Sequence, residues 1–176
     1  MTLTVETGSG GATSESYASV VDADTHLAAR GHTSWASLTT GDKEAALRRA
    51  TDYMQQAYRE RWSGTRATAT QALEWPRWNV PIKDIPGGHG SVPAYFSETA
   101  VPIEVKTACI TLALKAAAGD LAPDIEPQVT SERIGSIEVS YFPGVRQTVK
   151  YQSIDNMLSP LLMNGGSGAM VRVVRS

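Results

Sequence analysis

Residues Val101–Gly119, VPIEVKTACITLALKAAAG, decide the fold. Pro102 suits the first turn of a helix, because its missing N–H would have no partner there. Val105, Ala108, Cys109, Leu112 and Ala116 then recur at core spacing, and Gly119 closes the segment. Ile110, Ala113, Leu114 and Ala117 make the helix apolar almost all round. A helix with no polar face has to be covered on every side. The sequence therefore predicts a mainly α protein, a small helical bundle around a central buried helix at about 102–118.

Two helices precede it. Ser19 and Asp22 form an S-x-x-D capping pattern, Val20, Ala23 and Leu27 follow at helical spacing, and Gly31 ends the segment. A second helix, about Asp42 to Arg59, follows Thr40. It carries an apolar stripe of Ala46, Ala50, Tyr53, Met54 and Ala57 against Lys43, Glu44, Arg48, Arg49 and Asp52. Asp22, Asp24, Asp42 and Glu44 read as acids favoured by helix dipoles. Residues 1–16, with GSGGATSES at their centre, read as a flexible N-terminus.

Beyond the central helix, Ile137, Val139 and Tyr141 alternate with polar residues. Pro143-Gly144 supplies a turn, and Val145, Gln147, Val149 and Tyr151 alternate again, which predicts a β-hairpin at about 136–151. Ser153 is placed to cap a short last helix bearing Ile154, Leu158, Leu161 and Leu162, bent or shortened by Pro160. Residues 17–163 thus form one helical domain, and 164–176 an extended C-terminal arm. In that arm a Gly-rich tether precedes MVRVVRS. This strand-like end could complete the chain's own sheet or add a strand to another chain.

Between the second and third helices lies a long loop, residues 63–100, broken by Gly64, Pro76, Pro81, Pro86, Gly87, Gly88, Gly90 and Pro93. Gln71–Trp75 fits one helical turn ahead of Pro76. The stretch Tyr58–Val80, YRERWSGTRATATQALEWPRWNV, holds three of the four tryptophans and the arginines Arg59, Arg61, Arg66 and Arg77. Three readings compete. Trp and Arg anchor protein interfaces; they also stack and neutralise single-stranded nucleic acid; or the rings are core and the arginines cover them with their stems.

The charge balance bears on that choice. Sixteen basic and eighteen acidic side chains give a formal charge of −2, so there is no global basic field to attract nucleic acid. From Arg48 to Trp78 six arginines face Asp52, Glu60 and Glu74, a modest local excess. The lone Cys109 makes no internal disulfide and sits in an apolar stretch, the pattern of a core residue in a reducing compartment. No apolar run approaches the roughly 18 residues of a membrane span.

Catalytic signals are thin. His26 and His32 are six apart, the wrong spacing for one helix face, and no Cys pair offers a zinc site. PGGHGS (86–91) lacks the Lys-Ser/Thr of a phosphate loop. GGSG (165–168) lacks the last Gly of a nucleophile elbow. The expectation is no enzyme, no cofactor, no metal and no catalytic residue.

Several segments occur in a familiar order: SYASVVDADTHLAARG (16–31), DKEAALRRATDYM (42–54), Trp62-x-Gly64-x-Arg66, QALEWPR (71–77), VPIEVKTACITLAL (101–114), IGSIEVSYFPG (134–144) and SIDNMLSPLL (153–162). Together they resemble a small tailed-phage and prophage family often labelled DnaT-like single-stranded DNA-binding, whose members are similar to head–tail connector (adaptor) proteins. The resemblance implies a virion neck protein, made in the host cell cytoplasm. It would form a ring, usually of about twelve copies, under the portal protein. Its partners would be the portal, neighbouring copies, the next neck or tail-completion protein, and DNA passing without sequence-specific contact; no membrane is involved. The alternative is a single-stranded DNA-binding replication accessory using 58–80. On the adaptor reading, Trp62, Trp75, Tyr53 and Leu112 are structural anchors. Arg77, Trp78, Arg66 and the tail residues Met170, Val171, Arg172, Val173, Val174 and Arg175 are the interface candidates.

Overall fold

The computed structural model describes residues 2–84, 94–124, 131–134, 137–140 and 149–163. It is a mainly helical fold. Helices α1 (Val20–Ala28), α2 (Thr33–Ala36) and α3 (Thr40–Tyr58) precede two minimal strands, β1 (Thr65–Arg66) and β2 (Arg77–Trp78). Helix α4 (Ile103–Ala118), the hairpin strands β3 (Ser131–Ile134) and β4 (Ile137–Ser140), and α5 (Gln152–Leu158) follow.

Helix α4 is the centre, as its composition demands. Val105, Ala108, Cys109, Ile110, Leu112, Ala113 and Ala116 are buried, and the helix packs most extensively on α3, then on α5 and α1. Helix α3 answers with Ala46, Leu47, Ala50, Thr51, Met54 and Tyr58, a stripe at i, i+3 and i+4 spacing. The Cys109 thiol lies 3.4 Å from Thr51 Oγ1 and 3.8 Å from Ser16 Oγ. Burial pushes its pKa up, which suits a packing residue rather than a nucleophile.

The helix starts follow local chemistry. Ser19 and Asp22 form a complete capping box at α1, and the Thr39 hydroxyl caps α3 by accepting from the Asp42 N–H. Helix α3 therefore starts two residues earlier than its charge pattern suggested. The short α2 was not anticipated. It buries Trp35, whose indole N–H donates to Asp24 Oδ1 at 2.7 Å. Lys43 pairs with the same oxygen at 2.9 Å. Asp24, expected to serve a helix dipole, instead ties α1 to α2 and α3.

The hairpin is present, with a different partner from the one expected. Its expected first strand, β4, pairs antiparallel with the upstream β3, setting Ile134 opposite Ile137 and Glu132 opposite Val139. Only Gly135-Ser136 separates the strands, a two-residue spacer suited to a tight hairpin connection, and it competes with the Pro143-Gly144 signal. The expected return strand at 145–151 is not formed where it can be seen: residues 149–150 are non-regular and Tyr151 is the N-cap of α5. Residues 141–148 lie outside the described residues. Ser153 is inside α5 rather than at its cap. Pro160 falls in a 3-10 turn, Ser159–Leu161, that shortens the helix as expected. Gln71–Trp75 forms bends, not a helical turn.

The N-terminus requires the largest correction. Residues 2–16 are folded onto the body. Glu6 N–H donates to Ser16 O at 2.8 Å and Glu15 N–H to Thr4 O at 2.7 Å. The Glu6 side chain is 1% exposed. Its carboxylate accepts from the N–H groups of Gly8, Gly10 and Gly11 at 2.7, 3.0 and 2.8 Å, and from the Ser14 hydroxyl at 2.8 Å. The glycines let the backbone wrap one carboxylate. At Gly8 (φ +111°) a Cβ would lie 2.0 Å from Thr99 O, so no other residue fits.

Burial acts to raise the Glu6 pKa. The hydrogen bonds from Gly8, Ser14, Gly11 and Gly10 outweigh it and hold the carboxyl below the ordinary glutamate value. Because the folded value is depressed, the stability Glu6 contributes is fully present above the unfolded range, about pH 4.3. It is lost as pH falls through the folded value. Glu6→Gln is expected to lower the urea midpoint at pH 7 and to flatten its fall on acidification. Parallel wild-type and variant curves from pH 7 to pH 3 would contradict this.

Candidate interface in the Trp- and Arg-rich segment

After α3 the chain makes a 3-10 turn, Arg59–Arg61, and then runs beside the end of the last helix. Ser63 N–H donates to Leu161 O at 3.0 Å and Met163 N–H to Arg61 O at 2.7 Å. Strand β1 then pairs with β2, Thr65 opposite Trp78 and Arg66 opposite Arg77. Gly64 permits this pairing, since a Cβ there would sit 2.0 Å from Trp78 O.

Inside this ribbon lies a small aromatic core. Trp62 and Trp75 are 2% and 0% exposed. Their rings meet edge-on at 5.8 Å, Trp75 meets Phe96 at 6.4 Å, and Tyr58 leans on Trp62 at 5.9 Å. Leu73 and Val80 are buried with them. Leu112 of α4 is buried as well. Tyr53 is half-buried, edge-on to Tyr151 at 5.4 Å.

A buried irregular segment needs partners for its backbone, and the polar letters of QALEWPR supply them. Gln71 Nε2 donates to Leu73 O at 2.8 Å and Pro76 O at 3.0 Å, and Gln71 Oε1 accepts from Thr68 N–H at 2.8 Å. The Tyr17 hydroxyl accepts from Glu74 N–H at 3.0 Å.

Arg77, expected near a subunit boundary, is instead an interior fastener. It is 6% exposed. Its Nε donates to Ser63 O at 2.9 Å, Nη2 to Gly64 O at 2.8 Å, and Nη1 to Glu74 Oε2 at 2.9 Å. Burial pulls its pKa down while Glu74 pulls it up. The planar fork reaches three carbonyls, of Ser63, Gly64 and Glu74, and a carboxylate at once, a geometry a lysine cannot copy.

The other arginines also face internal partners. Arg66 Nη2 donates to Gln71 O, and Arg59 lies 3.5 Å from Glu74. Arg61 lies 3.4 Å from Asp155 and over the Tyr58 ring at 5.0 Å. Asp155 also accepts from the Tyr58 hydroxyl at 2.9 Å. Of the interface candidates, Trp78 is 46% exposed and Arg66 part-buried. Met170, Val171, Arg172, Val173, Val174 and Arg175 lie outside the described residues, as does PGGHGS.

The sequence reading did not single out Glu6, Tyr17, Trp35, Gln71 or Phe96. Gln71 and Glu74 could have been suspected, because a polar–apolar mixture as dense as QALEWPR in a loop has to satisfy its own backbone. Among the described residues no group of three or more His, Cys, Asp or Glu could hold a metal ion, and no helix is long and apolar enough to cross a membrane.

With this geometry in view, the whole chain, residues 1–176, matches a family described as "Putative DnaT-like ssDNA binding protein", and the chain belongs to that family. No curated protein and no solved structure matches it.

Three substitutions separate fasteners from surface. Trp75→Ala is expected to cost about 3–5 kcal/mol by opening a cavity. Arg77→Ala should cost a similar ~3–5 kcal/mol, because it leaves the buried Glu74 carboxylate only Arg59, at 3.5 Å, and takes the donor from the Ser63 and Gly64 carbonyls. Trp78→Ala should stay within roughly 0.5 kcal/mol of wild type, as exposed positions do. Urea denaturation measures all three, and a Trp78 effect as large as that of Trp75 would refute the assignment.

Proposed function

We propose that this chain is a structural virion protein, a head–tail adaptor that assembles as a ring under the portal, extends the DNA channel and joins the capsid to the neck or tail. The observation that carries this reading is the inward use of the Trp/Arg segment. Trp62, Trp75 and Arg77 are consumed by the fold. Arg59 and Arg61 already face Glu74 and Asp155. A surface that grips a single strand needs open aromatic faces and unpaired cations. Only Trp78 in this stretch offers a largely open ring. A net charge of −2 suits a conduit past which DNA slides. The resemblance carried by the order of motifs in the sequence points the same way.

The family's description favours a second reading, a single-stranded DNA-binding accessory protein. On that reading Trp78 would stack and Arg59 and Arg61 would be drawn from their carboxylates onto phosphates.

Electron microscopy of purified particles tests the adaptor. A ring at the neck, abolished when the gene is deleted and restored by the wild-type chain, is expected; particles that lack the protein would refute it. Fluorescence polarisation with a labelled oligonucleotide at ~150 mM salt, where exposed charges are well screened, tests the alternative. The expected result is no saturable binding. Submicromolar binding with Trp78 quenching would establish the DNA-binding reading.

A further inference from the structure

Residues 2–16 lie on the body without a fully buried apolar side chain of their own. Their buried members are Glu6, Gly8, Ser14 and Ser16, while Leu3 and Val5 are half-buried and Ala12 is exposed. The next residues change character, for Tyr17 and Ala18 belong to the core. A segment fastened mainly by polar contacts opens at a lower free-energy cost than a packed helix. The edge of such a unit falls between Ser16 and Tyr17.

The fastening has an order. The hydrogen bonds that the Glu6 carboxylate accepts come from its own segment, from Gly8, Gly10, Gly11 and Ser14. They do not reach the body; they set the shape of residues 8–14. That shape is what fits. Gly8 lies against Thr99, Gly10 lies against Thr68 and Gln71, and Gly11 O accepts from Ala72 N–H at 3.0 Å. A glycine-rich stretch has much conformational entropy to lose, and the Glu6 carboxylate is the acceptor around which this one orders.

Glu6 makes no ion pair among the described residues. The chain that meets Gly8 and Gly10 presents Thr99, Thr68 and Gln71, all uncharged. The segment's other acid, Glu15, accepts from Thr4 N–H at 3.0 Å and from Arg48 of α3 at 3.1 and 3.2 Å, and Arg48 also pairs with Glu44 at 3.7 Å. These groups are part-exposed, and exposed pairs hold weakly.

We propose that residues 2–16 are a strap that opens as a unit about Tyr17 while the helices stay packed, and that the Glu6 carboxylate is the latch that keeps it shut. Protonation weakens the carboxylate as an acceptor, so the strap opens as pH falls through the Glu6 value and closes as pH rises. Opening withdraws Gly8 from Thr99 and Gly10 from Gln71, two separate points of the 63–100 excursion that the closed strap holds together. The device stands independently of the adaptor reading.

Hydrogen exchange of the full chain, followed by NMR at neutral pH in low concentrations of urea, is the test. The amides of Glu15 and Ala72 report on the strap, because they donate to Thr4 O and Gly11 O and not to the Glu6 carboxylate. Those of Cys109 and Leu112 in α4 report on the bundle. In the wild type the strap amides should exchange faster than those of α4 and depend less on urea, as a small opening does. Glu6→Gln should speed exchange at Glu15 and Ala72 roughly 10- to 100-fold, the scale of hydrogen bonds to a charged group. Glu15→Gln should speed Ala72 by less than roughly fivefold. Strap amides that share the rates and urea dependence of α4 would overturn the separate unit. Wild-type rates in Glu6→Gln, or an equal effect from Glu15→Gln, would overturn the latch. Acidification of the wild type tests the same point should Glu6→Gln not fold. The Glu15 and Ala72 cross-peaks should leave their native positions before those of Cys109 and Leu112, and one concerted transition would overturn the proposal.

Discussion

The seam between α3 and α4 is the constraint on which the rest depends. Isolated helices of this length are marginal in water, so their helicity relies on the face they bury. Helix α4 has no polar side to offer solvent, and α3 covers one flank with Ala46, Leu47, Ala50 and Met54. Its other flanks need α5, α1 and the N-terminal segment. Cys109 marks the junction, touching Thr51 of α3 and Ser16 of the N-terminal segment. An apolar all-round helix thus dictates which other segments must come to it.

The same logic explains the long excursion between α3 and α4. Its prolines and glycines break it up before it can form another helix of the bundle, yet it carries three tryptophans. Burying two of them, Trp62 and Trp75, draws irregular backbone inside, and each enclosed carbonyl then needs a donor. Gln71 and Arg77 serve Leu73, Pro76, Ser63 and Gly64. Polarity that resembles a binding surface in the sequence is, in the fold, the means by which a loop becomes an interior.

Which features were legible follows from how local their causes are. The α1, α3 and α4 segments could be read because caps and 3.6-residue stripes act within a few residues. Trp62 and Trp75 could be read as anchors because their size demands burial. The role of Glu6 could not, because small polar residues look disordered until one carboxylate is seen to collect three backbone N–H groups and a hydroxyl. Trp35 needed Asp24, eleven positions away, and Arg77 needed carbonyls 13 and 14 positions back. The hairpin's partner strand turned on two competing turn signals, and local chemistry alone did not rank them. For the candidate interface, the composition was legible but not the direction each side chain faces.

That direction bears on how the family's description and the fold fit together. Arg59 and Arg61 stay largely in solvent but face Glu74 and Asp155. Exposed pairs of this kind are weak, worth at most about 1 kcal/mol, so they would not forbid contact with phosphate. They do reduce what such contact yields. Affinity for nucleic acid comes largely from counterions released as cations neutralise phosphates, and an arginine already beside a carboxylate adds less. Within residues 58–80 only Trp78 offers a partly open stacking face, where a strand needs a succession of them. DNA could pass such a surface closely with little to hold it, a property that a channel wall requires and a strand-gripping protein does not.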